Sequence, residues 1–207
     1  MSIQWFPGHM HKAGKEMDAA LPEVDVVVEV LDARLPWSSS NPALDTRVEG
    51  KPRLRLMTRS DLADPALTGV WQDALTTGTD AALAIRTDEP ATIREIPERL
   101  RALVPDDRGT SRVKPRTAMI VGIPNVGKST LINRLAGRTI AKTGNEPAVT
   151  KRQQSVPLGE GWRLRDTPGV LWPKVENPAS GYRLAASGAI RDTAMDSGEV
   201  AAWLLEY

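Results

Sequence analysis

One segment of the chain fits the phosphate-binding pattern G-x-x-x-x-G-K-[ST] at every fixed position: GIPNVGKS, residues 122–129. Glycines in such a loop let backbone N–H groups converge on phosphate oxygens, and the N-terminus of the following helix adds a favourable dipole. Lys128 is expected to hold the β- and γ-phosphates, and the hydroxyl of Ser129 to ligate Mg²⁺. The sequence therefore predicts a nucleoside triphosphate site. The loop residues expected to contact the nucleotide are Asn125, Val126, Gly127, Lys128, Ser129 and Thr130.

A second motif, DTPG at residues 166–169, follows the alternating segment WRLR. A P-loop protein needs an acid at the end of a strand to hold Mg²⁺, usually through water, and a glycine whose N–H meets the γ-phosphate. Asp166 and Gly169 supply these groups, in a form typical of GTPases. Between the two motifs, Thr150 lies in a polar segment where a triphosphate-sensing loop is expected. The predicted metal ligands are thus Ser129, Thr150 and Asp166.

The stretch TRSD, residues 58–61, is similar to the guanine-recognition motif Asn-Lys-x-Asp but stands upstream of the phosphate loop. It follows an apolar run, where a base-reading loop belongs in an open α/β sheet. A carboxylate at Asp61 accepts hydrogen bonds from N1–H and the 2-amino group of guanine, whereas adenine offers neither donor. A turn or helix cap is the alternative explanation of the same residues. The predicted guanine contacts are Thr58, Arg59, Ser60 and Asp61.

Strands that alternate with helices are expected to position these motifs. The predicted strands cover 24–31, 54–57, 81–85, 117–121, 153–157 and 162–165. The predicted helices cover 9–20, 65–76, 92–103, 129–135 and 200 to the end. This alternation predicts an α/β fold with a doubly wound, mostly parallel sheet of the P-loop NTPase type.

The order of the motifs predicts a circular permutation. In an ordinary GTPase the phosphate-loop strand opens the domain and the base-reading half closes it. Residues 104–116 are polar and charged and contain Pro and Gly, so we interpret them as a linker between the two former termini. Such a connection is physically feasible because the termini of a folded domain often lie close together.

Composition restricts the other possibilities. A chain of 207 residues forms one large domain or two small ones. A net charge of +1 and 4% aromatic residues argue against a pure RNA-binding module. The absence of cysteine excludes disulfides and thiolate metal sites. The sequence has no apolar run near the roughly 20 residues of a membrane span and no secretory signal, so we expect a cytoplasmic protein.

The motifs WFPGHMHKA, VLDARLP, TRSD, GIPNVGKST and DTPGVLWPK, taken in order, resemble those of the YlqF/RbgA family of circularly permuted GTPases. The resemblance covers residues 3–207. It implies hydrolysis of GTP to GDP and phosphate, slow without a ribosomal partner, in late maturation of the large ribosomal subunit. The implied partners are ribosomal RNA and ribosomal proteins, and we expect a monomer away from the ribosome. The implied regions are an N-terminal segment (1–20), a permuted GTPase domain (21–175) and a C-terminal helical extension (176–207) that begins an absent or truncated domain.

The catalytic residues follow from the same resemblance. Many GTPases orient the attacking water with a Gln directly after DxxG, but this chain has Val170 there. The resemblance implies His9 instead, whose neutral imidazole can accept a hydrogen bond from water; helix capping or contact with RNA is the alternative role. It also implies that Asn125 helps to bind K⁺, which supplies positive charge near the β–γ bridge. The predicted catalytic residues are His9, Asn125 and Lys128.

The base-reading motif departs from the family pattern at its first two positions. Asn normally tethers this loop to the phosphate loop, and Thr58 has no carboxamide for that purpose. The planar guanidinium of Arg59 can stack on the base in place of the usual Lys stem. Since Asp61 is retained, we expect guanine preference with weakened affinity. No second base-contacting residue is assigned near 85–88.

Two other functions remain open at this stage. One is a nucleotide-regulated ribosome- or RNA-binding protein with little or no hydrolysis. The other is an ATPase or small-molecule kinase, which Asp61 disfavours.

Overall fold

The computed structural model describes residues 8–105, 115–139, 154–159, 161–172 and 175–206. The strands are β1 (Val26–Asp32), β2 (Arg53–Thr58), β3 (Asp80–Ala84), β4 (Arg116–Gly122), β5 (Gln154–Gly159) and β6 (Trp162–Asp166). The α-helices are α1 (Gly8–Ala20), α2 (Pro36–Ser39), α3 (Pro42–Arg47), α4 (Pro65–Leu75), α5 (Pro90–Leu103), α6 (Lys128–Leu135), α7 (Pro178–Ala186) and α8 (Ser197–Glu206). Three short 3₁₀ turns lie at Leu21–Glu23, Ser60–Leu62 and Asp192–Ala194.

The strands form one six-stranded sheet in the order β3-β2-β1-β4-β6-β5. Every neighbouring pair is parallel except β5 with β6. The strand that carries the phosphate loop, β4, lies in the centre although it is fourth in the chain, with Val28 opposite Ile120 on one side and Asp166 opposite Ile120 on the other. The carboxyl ends of β1, β2, β4 and β6 therefore meet at one edge of the sheet, where ligands bind in open α/β folds.

Helices cover both faces of this sheet, as its apolar strands require. Alternate residues of β1, such as Val28 and Val30, belong to the main core cluster together with residues of α5, α6 and α7. The intervening Val27 belongs to a second cluster with Met17 of α1 and Leu44 of α3. All seven residues of β1 are buried. The predicted doubly wound, mostly parallel α/β fold is confirmed.

The six predicted strands are observed within two residues of their expected ends, and the five predicted helices within three. The sequence reading missed α2, α3 and α7. Each of these begins with a proline in its first turn, and α3 and α7 are capped by Asn41 and Asn177. Proline is well tolerated at the first helical position, but in a sequence it also indicates a turn, which conceals short helices.

Part of the predicted organisation lies outside the described residues. Of the linker predicted at 104–116, residues 106–114 are not described, and neither is Thr150. In the part of the chain that is described, no helix is long and apolar enough to cross a membrane.

Candidate nucleotide-binding site

The phosphate loop follows β4 and leads into α6. Gly122 has φ +146°, and a Cβ added to it would lie 2.5 Å from the carbonyl oxygen of Val30, so the start of the loop requires glycine. Gly127, with φ +98°, is the N-cap residue of α6 and makes no side-chain cap. The first turn of a helix has N–H groups without intrahelical partners, and this end of the helix attracts anions. The loop geometry thus suits a phosphate group.

Lys128 is buried within this loop. Its Nζ donates to the carbonyl oxygens of Gly122 at 3.1 Å and Ile123 at 2.6 Å. Burial lowers the pKa of Lys128 to about 8, although the negative charge of Asp166 opposes the change. Among the described residues, two carbonyl groups and the charge of Asp166 compensate this buried ammonium incompletely, so an anion in the loop would stabilise it.

Asp166, at the end of β6, is 1% exposed. Neither carboxylate oxygen has a hydrogen-bond partner of ordinary geometry among the described residues. Burial raises the pKa of Asp166 to about 6, against the effects of the Lys128 charge and the Thr167 N–H. Because an unpaired buried carboxylate is costly, its retention here fits a role as an acceptor for a hydrated cation.

The side chains near Asp166 suit a Mg²⁺ ion that also binds phosphate and water, rather than a metal ion held entirely by protein ligands. Ser129 follows Lys128 in the first turn of α6, so a hydroxyl and a carboxylate come from the two motifs predicted to supply them. Nowhere in the described part of the chain do three His, Cys, Asp or Glu residues form a group able to hold a metal. A Mg²⁺ ion that shares its coordination with phosphate oxygens and water needs no such group.

The DTPG segment packs directly on the phosphate loop. A Cβ added to Gly169 would lie 2.7 Å from Cα of Pro124 and 3.0 Å from Nζ of Lys128. The N–H of Val170 donates to the carbonyl oxygen of Gly122 at 3.2 Å. Such a close approach between two backbones is possible only because residue 169 is glycine.

Contrary to our expectation, the base loop remains tethered to the phosphate loop. The hydroxyl of Thr58 lies 2.8 Å from the carbonyl oxygen of Val126 and 3.0 Å from that of Leu31. Having one proton, it donates to one of them at a time. In addition, Nη2 of Arg59 donates to the carbonyl oxygen of Asn125 at 2.7 Å. The prediction that the tether is lost was wrong because a hydroxyl and a guanidinium replace the carboxamide as donors.

Asp61 follows in a 3₁₀ turn and is exposed at the rim of the site. Its charge helps to raise the pKa of Arg34 and of Arg86, although the hydrogen bonds of these arginines to Asp32 and Asp88 are the larger causes. The N–H of Ser60 donates to the carbonyl oxygen of Ile85 at 3.5 Å, so the unassigned segment near 85–88 adjoins the base loop.

The N-terminal helix shares a hydrophobic core with the segment that follows DTPG. Met10 is fully buried in the main core, which also contains Leu171 and Ile190. His9 is exposed, and its pKa is lowered by partial burial and then by the positive charge of Arg191, which favours the neutral imidazole. The preceding residues of WFPGHM, 1–7, lie outside the described residues.

Other contacts in the site were not apparent from sequence. A Cβ added to Gly188, directly after α7, would lie 2.7 Å from Nδ2 of Asn125, so the Asn125 side chain is directed toward Gly188. Asp32, at the end of β1, binds Arg59. In the sequence, Asp32 was noted only as part of VLDARLP, and Gly188 was assigned no role because α7 was not predicted.

Comparison with known proteins identifies the family. A family model described as a 50S ribosome-binding GTPase matches residues 117–195. Ribosome biogenesis GTPase A of Priestia megaterium is 46% identical over 213 residues, covering 100% of this chain and 74% of that protein. The chain belongs to the ribosome biogenesis GTPase A family. Mitochondrial ribosome-associated GTPase 1 of Mus musculus is 34% identical and covers 98% of this chain and 65% of that protein.

Solved structures agree with membership of the ribosome biogenesis GTPase A family. The crystal structure of GNP-bound YlqF from T. maritima has a TM-score of 0.68 and 26% sequence identity, covering 94% of this chain and 73% of that chain. A GDP-bound structure of YlqF has a TM-score of 0.64 at the same identity, covering 89% and 70%. The chain is therefore a GTPase with the predicted permuted P-loop fold, which confirms the assignment made from its motifs.

Proposed function

We propose that this GTPase acts in late maturation of the large ribosomal subunit and hydrolyses GTP when bound to a near-mature particle. The names of its relatives support a ribosomal role, and the description of the matching family model supports the large subunit. The observation that carries the hydrolytic function is the buried carboxylate of Asp166, which no described residue pairs with in ordinary hydrogen-bond geometry, beside Lys128 at a complete phosphate loop. We further propose that the protein works in the cytoplasm and is monomeric away from the ribosome.

GTP would bind with its phosphates at the start of α6 and its base at Asp61. Lys128 would exchange the carbonyl oxygens of Gly122 and Ile123 for β- and γ-phosphate oxygens, which compensate its charge better. The N–H of Gly169 would meet the γ-phosphate, since this residue already touches the loop. The proposed nucleotide contacts are Thr58, Arg59, Ser60, Asp61, Asn125, Val126, Gly127, Lys128, Ser129, Thr130, Thr150, Asp166 and Gly169.

Two cations are part of the proposal. Mg²⁺ would be held by Ser129, Thr150 and Asp166, and K⁺ with the help of Asn125. Together they would neutralise charge that develops on the β- and γ-phosphates. Asn125 lies within the phosphate loop, and its Oδ1 would be the ligand for this cation.

The water-orienting group must come from outside the DTPG segment. Val170 is apolar, and its N–H is bound to Gly122, so it cannot replace the usual Gln. We propose His9 for this role. Its lowered pKa favours the neutral imidazole, the form that can accept a proton from water, and α1 packs in the same core as Leu171, two residues after Gly169.

Steady-state GTP hydrolysis with and without purified large ribosomal subunits, in K⁺ and then in Na⁺, tests the proposal. We expect stimulation by large subunits, less in Na⁺. His9→Ala should reduce the stimulated rate by about 100-fold or more, the usual contribution of a general base. His11→Ala, on the same helix, is the matched control and should retain the stimulated rate.

Each outcome has a defined meaning. An unchanged stimulated rate in His9→Ala would show that His9 is not catalytic. Stimulation by small but not large subunits would contradict the proposed partner. GTP binding without turnover under all these conditions would favour the alternative, a nucleotide-regulated ribosome- or RNA-binding protein, which the absence of a Gln at position 170 makes worth testing.

A further inference from the structure

Asp32 occupies the carboxyl end of β1, beside the base loop, and its side chain is 1% exposed. Oδ1 accepts hydrogen bonds from the backbone N–H of Arg34 at 3.0 Å and from its Nε at 2.9 Å. Oδ2 accepts from Nη2 of Arg34 at 2.7 Å and from Nη1 of Arg59 at 2.5 Å. Burial raises the pKa of Asp32, but the hydrogen bonds and charge of Arg34, with the charge of Arg59, lower it below its ordinary value. Asp32 is thus a fixed, ionised acceptor.

Arg59 connects this acceptor to the phosphate loop. One guanidinium nitrogen donates to Asp32, and the other donates to the carbonyl oxygen of Asn125 at 2.7 Å. The planar guanidinium holds its two donors at a fixed separation, which the single ammonium of a lysine cannot reproduce. These hydrogen bonds are made at the edge of the guanidinium and do not use its faces, on one of which the base is expected to stack.

The backbone of Arg59 is also unusual. Its φ of 57° is in the left-handed region, which is unfavourable for a residue with a Cβ. The 3₁₀ turn that contains Asp61 begins at the next residue, Ser60. Any relaxation of Arg59 toward an ordinary conformation would therefore change the direction in which Asp61 is presented.

We propose that Asp32 is a positioning residue for guanine recognition, which anchors Arg59 so that the loop carrying Asp61 is held in register with the phosphate loop. This inference rests on the proposed role of Asp61 in reading the base. The proposed role explains why position 59 is Arg: its guanidinium can donate to Asp32 and to the phosphate loop at the same time. The competing explanation is an ion pair that only stabilises the fold.

The dissociation constants of GDP and of inosine diphosphate distinguish these explanations, since inosine lacks the 2-amino group that Asp61 is proposed to bind. The native protein should prefer GDP. Asp32→Asn, which keeps the shape and removes the charge, should raise the GDP dissociation constant about 10-fold and the inosine diphosphate constant less. Arg59→Lys should have a similar effect although Lys is the usual residue at this position of the motif, because its ammonium cannot reproduce the fixed pair of donors that joins Asp32 to the Asn125 carbonyl. The double variant should be little worse than either single variant, because both changes break one linkage.

Glu29→Gln is the matched control. Glu29 is a buried carboxylate on the same strand that pairs with Arg53 and Arg55, away from the base loop. Because Glu29 does not pair with Arg59, this substitution should leave the ratio of the two dissociation constants unchanged. Circular dichroism should verify that each variant is folded at the assay temperature.

A folded Asp32→Asn or Arg59→Lys protein that keeps the native preference for GDP over inosine diphosphate would overturn the inference. Independent, multiplicative effects in the double variant would do the same. If Asp32→Asn fails to fold, Arg59→Lys decides the question alone. Absence of any GDP preference in the native protein is a separate result, which would refute the proposed role of Asp61.

Discussion

Replacing Asp166 by Asn should make the nucleotide-free protein more stable at pH 7 while it removes Mg²⁺-dependent GTP hydrolysis. The carboxylate is buried and has no hydrogen-bond partner of ordinary geometry among the described residues, so it destabilises the folded state unless a cation is bound. Asn has nearly the same shape but carries no charge. The substitution therefore separates the effect of the buried charge on folding stability from its role in hydrolysis.

The size of the expected gain in unfolding free energy follows from the pKa of Asp166, which burial raises from 3.8 to about 6. At about 1.36 kcal/mol per pKa unit, the ionised carboxylate costs about 3 kcal/mol at neutral pH. Since the folded-state pKa is the higher one, the stabilising contribution of the bound proton is present below about pH 4 and is lost as the pH rises through about 6. This pKa value already includes the attraction between Asp166 and Lys128. The Asn amide is itself buried in the same place and needs hydrogen-bond partners, so we expect a smaller net gain of about 1–2 kcal/mol at pH 7.

Urea unfolding of both proteins without nucleotide, in the presence of EDTA, measures this gain between pH 4 and pH 7.5. The difference in unfolding free energy should be near zero at pH 4 and should grow as the pH rises through about 6. Asp73→Asn, an exposed substitution on α4, should change stability by less than about 0.5 kcal/mol at every pH. If Asp166→Asn is less stable than the native protein at pH 7, or if the difference does not depend on pH, the reasoning about this carboxylate is wrong.

Two further substitutions test the contacts around the phosphate loop. Thr58→Val should raise the dissociation constant of GDP about 10-fold, because the loop loses a hydrogen bond to a buried carbonyl group. A fluorescent-nucleotide titration measures this dissociation constant, and the control Thr68→Val should leave it unchanged. If Thr58→Val also leaves it unchanged, the hydrogen bond from Thr58 to Val126 is unimportant for GDP binding. Gly169→Ala should reduce the steady-state rate of GTP hydrolysis by about 10-fold or more, since the Cβ of the new alanine would clash with the backbone of Pro124. Gly69→Ala, which meets nothing within 4 Å, should retain the native rate, and equal rates in both variants would contradict the proposed packing.

The sequence was sufficient to predict the strands, the longer helices and the order of the motifs. Apolar runs such as β1 and β4 are buried on both faces, so their pattern in the sequence is strong. The phosphate loop and DTPG are contiguous motifs whose backbone geometry depends on their own glycines. The strand order was not predicted, but the central position of β4, between the base-reading half and the DTPG strand, agrees with the permuted order of the motifs.

Contacts between distant residues could not be predicted in the same way. Thr58 and Val126 are 68 residues apart, and Arg59 and Asn125 are 66 apart, so their hydrogen bonds depend on how β2 and β4 are placed in the sheet. In the sequence, Thr58 is notable because it lacks the carboxamide of the usual Asn. In the structure, what matters is whether any donor lies within reach of the phosphate loop.

The contacts of the phosphate loop explain why a hydroxyl is sufficient there. In a trans peptide the N–H of one residue points away from the carbonyl group of the residue before it. The carbonyl groups of Asn125 and Val126 accept hydrogen bonds from the base loop, through Arg59 and Thr58. The N–H groups of Val126 and Gly127 are therefore directed away from the base loop, and these are among the groups expected to meet phosphate. A hydroxyl or a carboxamide at position 58 can donate to the carbonyl group of Val126 and so fix the orientation of the peptide between Val126 and Gly127. The same hydrogen bonds therefore support binding of the base at one end of the site and of phosphate at the other.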